Sequence, residues 1–201
     1  MLQNTKTSWG SVSKSLHWVM LLLIIVEVAS GFLMSATYGF ALKYPDVNSF
    51  HDVIAQIHHT NGFFLLLLVV FRLVWRFKGV VPQLPSGFSR FKQVTAKFTH
   101  GLLYALLLLV PLSGWAALSV LADSAEYGIT HIWFFASDGI IPQILPNQDI
   151  NSLFGYSFFG KTHRYLLVAG GVIVAIHVLA SLWHHLVRKD QILLRMWPGG
   201  R

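Results

Sequence analysis

The chain has 201 residues, of which 54% are hydrophobic and 11% charged, and it carries a net charge of +7. That balance is too apolar for a soluble domain of this length and predicts an integral membrane protein. The absence of cysteine excludes disulfides, iron–sulfur clusters and thiolate ligation of haem, leaving histidine, present ten times, as the expected metal ligand.

Four apolar stretches each approach the twenty or so residues that a membrane-spanning helix needs. The first, about 17–34, begins at His17 and carries Glu27 in its interior. The segment before it is short and no small-residue cleavage site follows, so this span is expected to be retained and not removed as a signal peptide. The second, about 58–76, opens on His58 and closes on Arg72 and Arg76. A short connection over 80–93 holds Pro82, Pro85 and Gly87 and leads to the third span, about 98–120, with His100 near its start. A loop of about 121–161 follows, rich in aromatics: Trp133, Phe134, Phe135, Phe154, Tyr156, Phe158 and Phe159. It is expected either to cap the outer end as a partly helical interfacial segment or to serve as an aromatic belt. The fourth span, about 162–187, carries His163, Gly170, His177, His184 and His185. The whole is expected to be one all-α transmembrane domain, a four-helix bundle over 1–201.

Orientation follows from the basic residues. With both termini in the cytoplasm, that side holds Lys6, Lys14, Arg72, Arg76, Lys78, Arg90, Lys92, Lys97, Arg188, Lys189, Arg195 and Arg201, and the far side only Lys43, Lys161 and Arg164. This asymmetry is the positive-inside pattern of an inner (plasma) membrane protein. It also accounts for the net charge, so no nucleic-acid partner is implied; the partners of such a surface are lipids. Asp46, Asp52, Asp123, Glu126, Asp138 and Asp149 fall on the far side.

His163 and His177 stand fourteen residues apart on the fourth span, a spacing that returns to one helix face after nearly four turns and roughly 21 Å of rise. Side chains so placed reach two separate porphyrins within a hydrocarbon core of about 30 Å. With alternating span directions, His58 and His163 lie near the outer face and His17 and His177 nearer the cytoplasm. Two neutral imidazoles from two helices make a six-coordinate, low-spin haem iron suited to moving electrons. The sequence thus predicts two b haems, held by the pairs His58–His163 and His17–His177, with Gly170 leaving room for porphyrin edges between His163 and His177.

Other residues share these stripes. Gly31 and Gly114 lie fourteen residues after His17 and His100, and Gly62 one turn after His58, so glycines are expected to face porphyrin or to mark close helix contacts. Arg72 lies fourteen residues after His58 and is expected to pair with a propionate of the inner haem or to snorkel to the headgroups. His100 is a competitor of His17 for the inner haem, or a hydrogen-bond donor to a quinone carbonyl. His184 continues the face of His163 and His177 and offers a second place for a quinone headgroup, next to His185 at the lipid–water boundary. Glu27, as an intramembrane carboxylate, is expected to carry protons or to bond a neighbouring helix. His59 is expected to hydrogen-bond locally, and His51 and His131 to sit in loops.

The stretches Leu16-His17-Trp18, His58 followed by Gly62, Phe71-Arg72-Leu73-Val74-Trp75-Arg76, and His100-Gly101-Leu102-Leu103-Tyr104 followed by Pro111 and Gly114 resemble the prokaryotic cytochrome b561 family. So does the ending, with His177, His184-His185, Lys189-Asp190, Leu193-Leu194-Arg195-Met196 and Pro198. The resemblance covers all four spans and implies a dihaem cytochrome b that exchanges electrons with the quinone pool. It implies the same ligand pairs, a quinone, with ubiquinone as the expected one, near His100 and His184, and an outer-side redox partner. Some members of the family are superoxide oxidases, which pass an electron from external superoxide to ubiquinone. This chain departs from the family in its long outer loops and in an acidic excess on the outer side, which should repel an anionic substrate such as superoxide unless Lys161 and Arg164 focus a local positive patch.

The leading expectation is therefore transmembrane electron transfer between an outer-side donor or acceptor and the quinone pool. The alternative is a haem b anchor subunit of a multi-subunit dehydrogenase or hydrogenase, which a stable complex with a soluble partner would reveal. A metal transporter using paired histidines ranks below both, because apart from Glu27 the spans offer apolar walls and glycines in place of a polar path.

Overall fold

The computed structural model describes residues 1–44, 49–83, 87–121 and 142–199. They form four long helices, α1 (Ser11–Lys43), α2 (Ser49–Lys78), α3 (Arg90–Ser119) and α4 (Tyr156–Leu186), and a short fifth, α5 (Ile192–Met196). There is no strand among the described residues. All four long helices have the length and apolar composition to cross a membrane, so the protein is an all-α, multi-pass membrane protein.

Each helix runs past the apolar window that marks it in the sequence. At 30 to 33 residues the helices measure about 45–50 Å, well beyond the hydrocarbon core. Continuing the helix into the headgroup region keeps every backbone N–H and C=O paired where water is scarce. Two assignments from the sequence change as a result. His51 lies in the first turn of α2 instead of a loop, and Tyr156, Phe158 and Phe159 belong to the first turn of α4. Pro111 sits inside α3, as transmembrane helices tolerate when neighbouring groups take up the freed carbonyl. Leu22, Phe32, Val168 and Leu179 are exposed on the helix surfaces, as apolar side chains are when acyl chains solvate them.

The chain gathers into two compact units. The first comprises Met1–Met20, Leu68–Leu108 and Tyr165–Arg201. In it the N-terminal segment, the α2–α3 connection and α5 are tied together. Gln83 N–H donates to the Lys6 carbonyl (2.9 Å) and Arg195 Nη1 to the Gln83 carbonyl (2.9 Å). Trp18 Nε1–H donates to the Met196 carbonyl (2.8 Å), and its ring meets Trp197 edge-on at 5.1 Å. The tryptophan after His17 is thereby fastened to the C-terminal helix, linking two stretches that lie at opposite ends of the sequence.

The second unit comprises Leu21–Leu67 and Leu109–Arg164. Ala55, Leu65, Leu66, Ala116 and Ala117 are buried in it, and Phe63 meets Trp115 edge-on at 5.2 Å. Residues after the α3–α4 loop are strapped to the end of α3: Ser119 Oγ accepts from the Ile144 and Leu145 N–H groups (2.6 and 2.8 Å), and Trp115 Nε1–H donates to the Pro142 carbonyl (2.8 Å). The expected cap at Trp133, Phe134 and Phe135, the loop position of His131, and the charges at Asp46, Asp123, Glu126, Asp138 and Arg201 lie outside the described residues.

Candidate metal centres

In the second unit the structure brings His58 of α2 and His163 of α4 together, with ring centroids 6.2 Å apart and planes at 85°. In the first unit His17 of α1 and His177 of α4 face each other at 6.4 Å and 74°. Metal–nitrogen bonds of about 2.0–2.1 Å, with roughly 1.1 Å from ring nitrogen to ring centre, put the centroids of two imidazoles trans on one metal about 6.3 Å apart. Both pairs match that separation. His100 of α3 also lies against His177, but at 5.5 Å and 87°, too close for an ion between the rings, and its Nδ1–H donates to the Ala96 carbonyl of its own helix (2.7 Å).

The second-unit pair is held by the same device twice. His58 Nδ1–H donates to the Glu27 carbonyl (3.1 Å) and lies 3.3 Å from Ser30 Oγ, while the Ser30 hydroxyl donates to that carbonyl (3.1 Å). On the other side His163 Nδ1–H donates to the Val110 carbonyl (2.8 Å) and lies 3.2 Å from Ser113 Oγ, whose hydroxyl donates to the same carbonyl (2.7 Å). In each case a carbonyl and the serine three residues on fix the tautomer with the proton on Nδ1, and Nε2 keeps its lone pair for a metal. Glycine follows each serine. A Cβ on Gly31 would lie 3.0 Å from His58 Cε1, and one on Gly114 would lie 3.2 Å from His163 Cε1.

These glycines make room for the imidazoles of His58 and His163, a close helix contact of the kind that was one of the two roles expected of them. Replacing Gly31 by valine is expected to push His58 off its axis and weaken cofactor retention at this centre by about 10- to 100-fold, the scale of outer-shell changes at metal sites. Haem content per chain measures it, and an unchanged content would show that the imidazole tolerates the displacement.

The Ser-Gly pairs at 30–31 in α1 and 113–114 in α3 are the sequence feature from which this device could have been found. Ser30 and Ser113 are both buried.

Glu27 adds an asymmetry. Its Oε1 lies 3.3 Å from His58 Nδ1, and Asn61 Nδ2 donates both to Glu27 Oε2 (2.7 Å) and to the Leu23 carbonyl (2.8 Å). Gly62 serves this carboxyl group, because a Cβ there would meet Glu27 Oε1 at 2.8 Å. Glu27 thus bonds a neighbouring helix, one of the two roles expected of it. Asn61→Leu would strand the Glu27 oxygen and the Leu23 carbonyl, and is expected to cost about 1–3 kcal/mol. A fall in the unfolding temperature in detergent reads this out, and an unchanged temperature would mean that Asn61 carries no such load.

Two histidines differ from their expected roles. His51 Nδ1 pairs with Thr37 Oγ1 (2.9 Å), joining α2 to α1, and His59 Nδ1 is buried without a hydrogen-bond partner among the described residues. In the first unit Arg72 donates from Nε to Tyr104 Oη (3.2 Å) and from Nη1 to the Ser13 carbonyl (3.2 Å), which fixes its guanidinium between α1 and α3. A Cβ on Gly170 would meet nothing within 4 Å. His184 Nδ1 is bound to Asp190 Oδ2 (2.5 Å) and its ring stacks on Phe88 at 5.5 Å.

The donor set is chemically suited to haem iron. The two imidazoles of each pair would hold the iron of a haem, with the His58 and His163 tautomers set by their Nδ1 hydrogen bonds, and the haem would supply a one-electron carrier. The sequence profile of the prokaryotic cytochrome b561 family matches residues 8–199. The chain belongs to that family, and is therefore a membrane cytochrome of the haem b class whose role is transmembrane electron transfer. Among similar proteins is cytochrome b561 homolog 1 of Escherichia coli strain K12, 26% identical over 183 residues that cover 91% of this chain and 93% of the relative. Cytochrome b561 homolog 2 of the same organism is 26% identical over 193 residues, 96% of this chain and 93% of its own. A probable superoxide oxidase, CybB of Yersinia pestis, is 26% identical over 187 residues, 92% and 93% of the two chains.

Proposed function

We propose that the protein moves electrons between a redox partner on the outer side of the inner membrane and the membrane quinone pool, using two bis-histidine b haems. The observation that supports this most is the pair of imidazole separations, 6.2 and 6.4 Å, each matching two ligands trans on one metal. Bound there, haem b supplies a one-electron carrier with no open coordination position. His58 and His163 hold the outer group and His17 and His177 the inner one, with Gly170 leaving space beside α4. Arg72 uses two donors within the protein and has others for a propionate of the inner haem.

The crowding of basic residues at the chain ends and the α2–α3 connection supports a cytoplasmic location for both termini. His100 and His184 then stand at the cytoplasmic end, where quinone reduction would draw protons from the cytoplasm. The name of the Yersinia pestis relative makes superoxide the outer donor to test first. Lys161 and Arg164, both exposed, provide positive charge beside His163 for an anionic donor. The test is anaerobic mixing of the reduced holoprotein with a water-soluble ubiquinone. Complete haem reoxidation supports quinone exchange, and persistently reduced haem would overturn it.

A further inference from the structure

The end of α4 is built around His184. Beyond Leu186 the chain closes with Lys189 in the left-handed region (φ 53°), and Asp190 N–H donates back to the His184 carbonyl (3.1 Å). The bond reaches six residues back along the chain, and Lys189 takes the left-handed conformation that glycine usually supplies at a helix end. The closure sets the Asp190 side chain against the His184 ring. Asp190 Oδ2 accepts from His184 Nδ1–H at 2.5 Å, and Oδ1 accepts the Ile192 N–H at 3.2 Å at the start of α5. Both carboxylate oxygens are committed, so the dyad cannot swing. Phe88 stacks on the His184 ring at 5.5 Å and 16°, and Trp183 meets its edge at 5.1 Å. With one face stacked, one edge met and Nδ1 engaged, Nε2 is the polar vertex left for an outside partner.

We infer that Asp190 is a positioning residue that makes His184 the proton donor to a quinone oxygen, with Phe88 and Trp183 framing the slot for the ring. The inference rests on the quinone reading proposed above and assigns it a residue that nothing else here does. A carboxylate behind Nδ1 holds the imidazole in one orientation, with Nε2 as the atom that passes a proton on. Each quinone gains two electrons, drawn from the outer donor by the transfer proposed above, and two protons. One proton leaves His184 Nε2, which recovers it from water at the membrane surface, and the other comes from that water directly. The charged groups at His184 are Asp190, in contact, and Arg188, whose Nε lies 4.0 Å from Asp190 Oδ2. The α2–α3 connection presents the uncharged Phe88.

The experiment uses the holoprotein reduced with stoichiometric dithionite, mixed with short-chain ubiquinone, and haem reoxidation is followed over roughly pH 6 to 9. Asp190→Asn keeps the side-chain shape and an acceptor for Ile192. It is expected to slow reoxidation by about 10- to 100-fold at neutral pH with unchanged haem spectra and an unchanged quinone KM. Asp190→Glu should recover part of the rate, and 15N resonances of His184 should lose their fixed Nδ1–H tautomer in Asp190→Asn. A wild-type rate and pH profile in Asp190→Asn, with His184→Gln slowed, would overturn this inference and leave the quinone site standing. Wild-type behaviour in His184→Gln as well would overturn both.

Discussion

His58→Ala and His163→Ala each leave the protein with a single low-spin haem b per chain, the other centre keeping its full content. In the proposed assignment each residue is one of two protein ligands to an iron, and their ring separation of 6.2 Å leaves room for a metal between them. Among the described residues the histidine next to the pair is His59, whose ring stands against that of His58 at 6.2 Å and whose Nδ1 is buried. Loss of an axial ligand costs far more than the 10- to 100-fold that outer-shell changes cost, so occupancy of the centre should collapse under ordinary purification. The Nδ1 device predicts a graded series beneath this. Ser30→Ala and Ser113→Ala keep the carbonyl acceptor and should keep both haems, with shifted midpoint potential at one of them, because hydrogen bonds to ligands tune iron potentials. Pyridine-haemochrome quantitation and low-temperature spectra separate these results. Two low-spin haems in either histidine variant would mean that the pairing is wrong.

The inner centre divides more sharply. His17→Ala is expected to lose one haem, and His100→Ala to keep two. The sequence leaves these two histidines as rivals, since both open a span at similar depth. The structure separates them by distance: His17 stands 6.4 Å from His177, close to the trans distance of about 6.3 Å, whereas His100 stands at 5.5 Å. His100→Ala should therefore act on electron exchange with quinone and not on haem content. If His100→Ala lost the haem and His17→Ala kept it, the ligand assignment at this centre would be reversed.

Much of this was legible because a helix is periodic and stiff. The fourteen-residue spacing of His163 and His177 keeps its meaning since α4 runs unbroken from Tyr156 to Leu186. What surrounds the ligands was not legible in the same way. Gly31 and Gly114 read as porphyrin-facing or close-packing glycines with no role for the serine before each, and only the juxtaposition of α1 with α2 and of α3 with α4 shows each Ser-Gly pair clasping a histidine. Gly62 shared the stripe of His58, yet the group it admits is the Glu27 carboxyl, whose direction a one-dimensional pattern does not contain. His51 looked like a loop residue because polar Asp52, Gln56 and Asn48 dilute the apolar signal, and α2 continues through it because helix ends protrude beyond the hydrocarbon. The bond from His184 to Asp190 depends on a left-handed lysine, which sequence rules reserve for glycine.

The most direct test of the central claim is the dithionite-reduced minus oxidised spectrum of the purified protein, with pyridine-haemochrome quantitation of haem per chain. Two low-spin haems b per chain is the expected result. A folded protein with one haem, or with none, would contradict it.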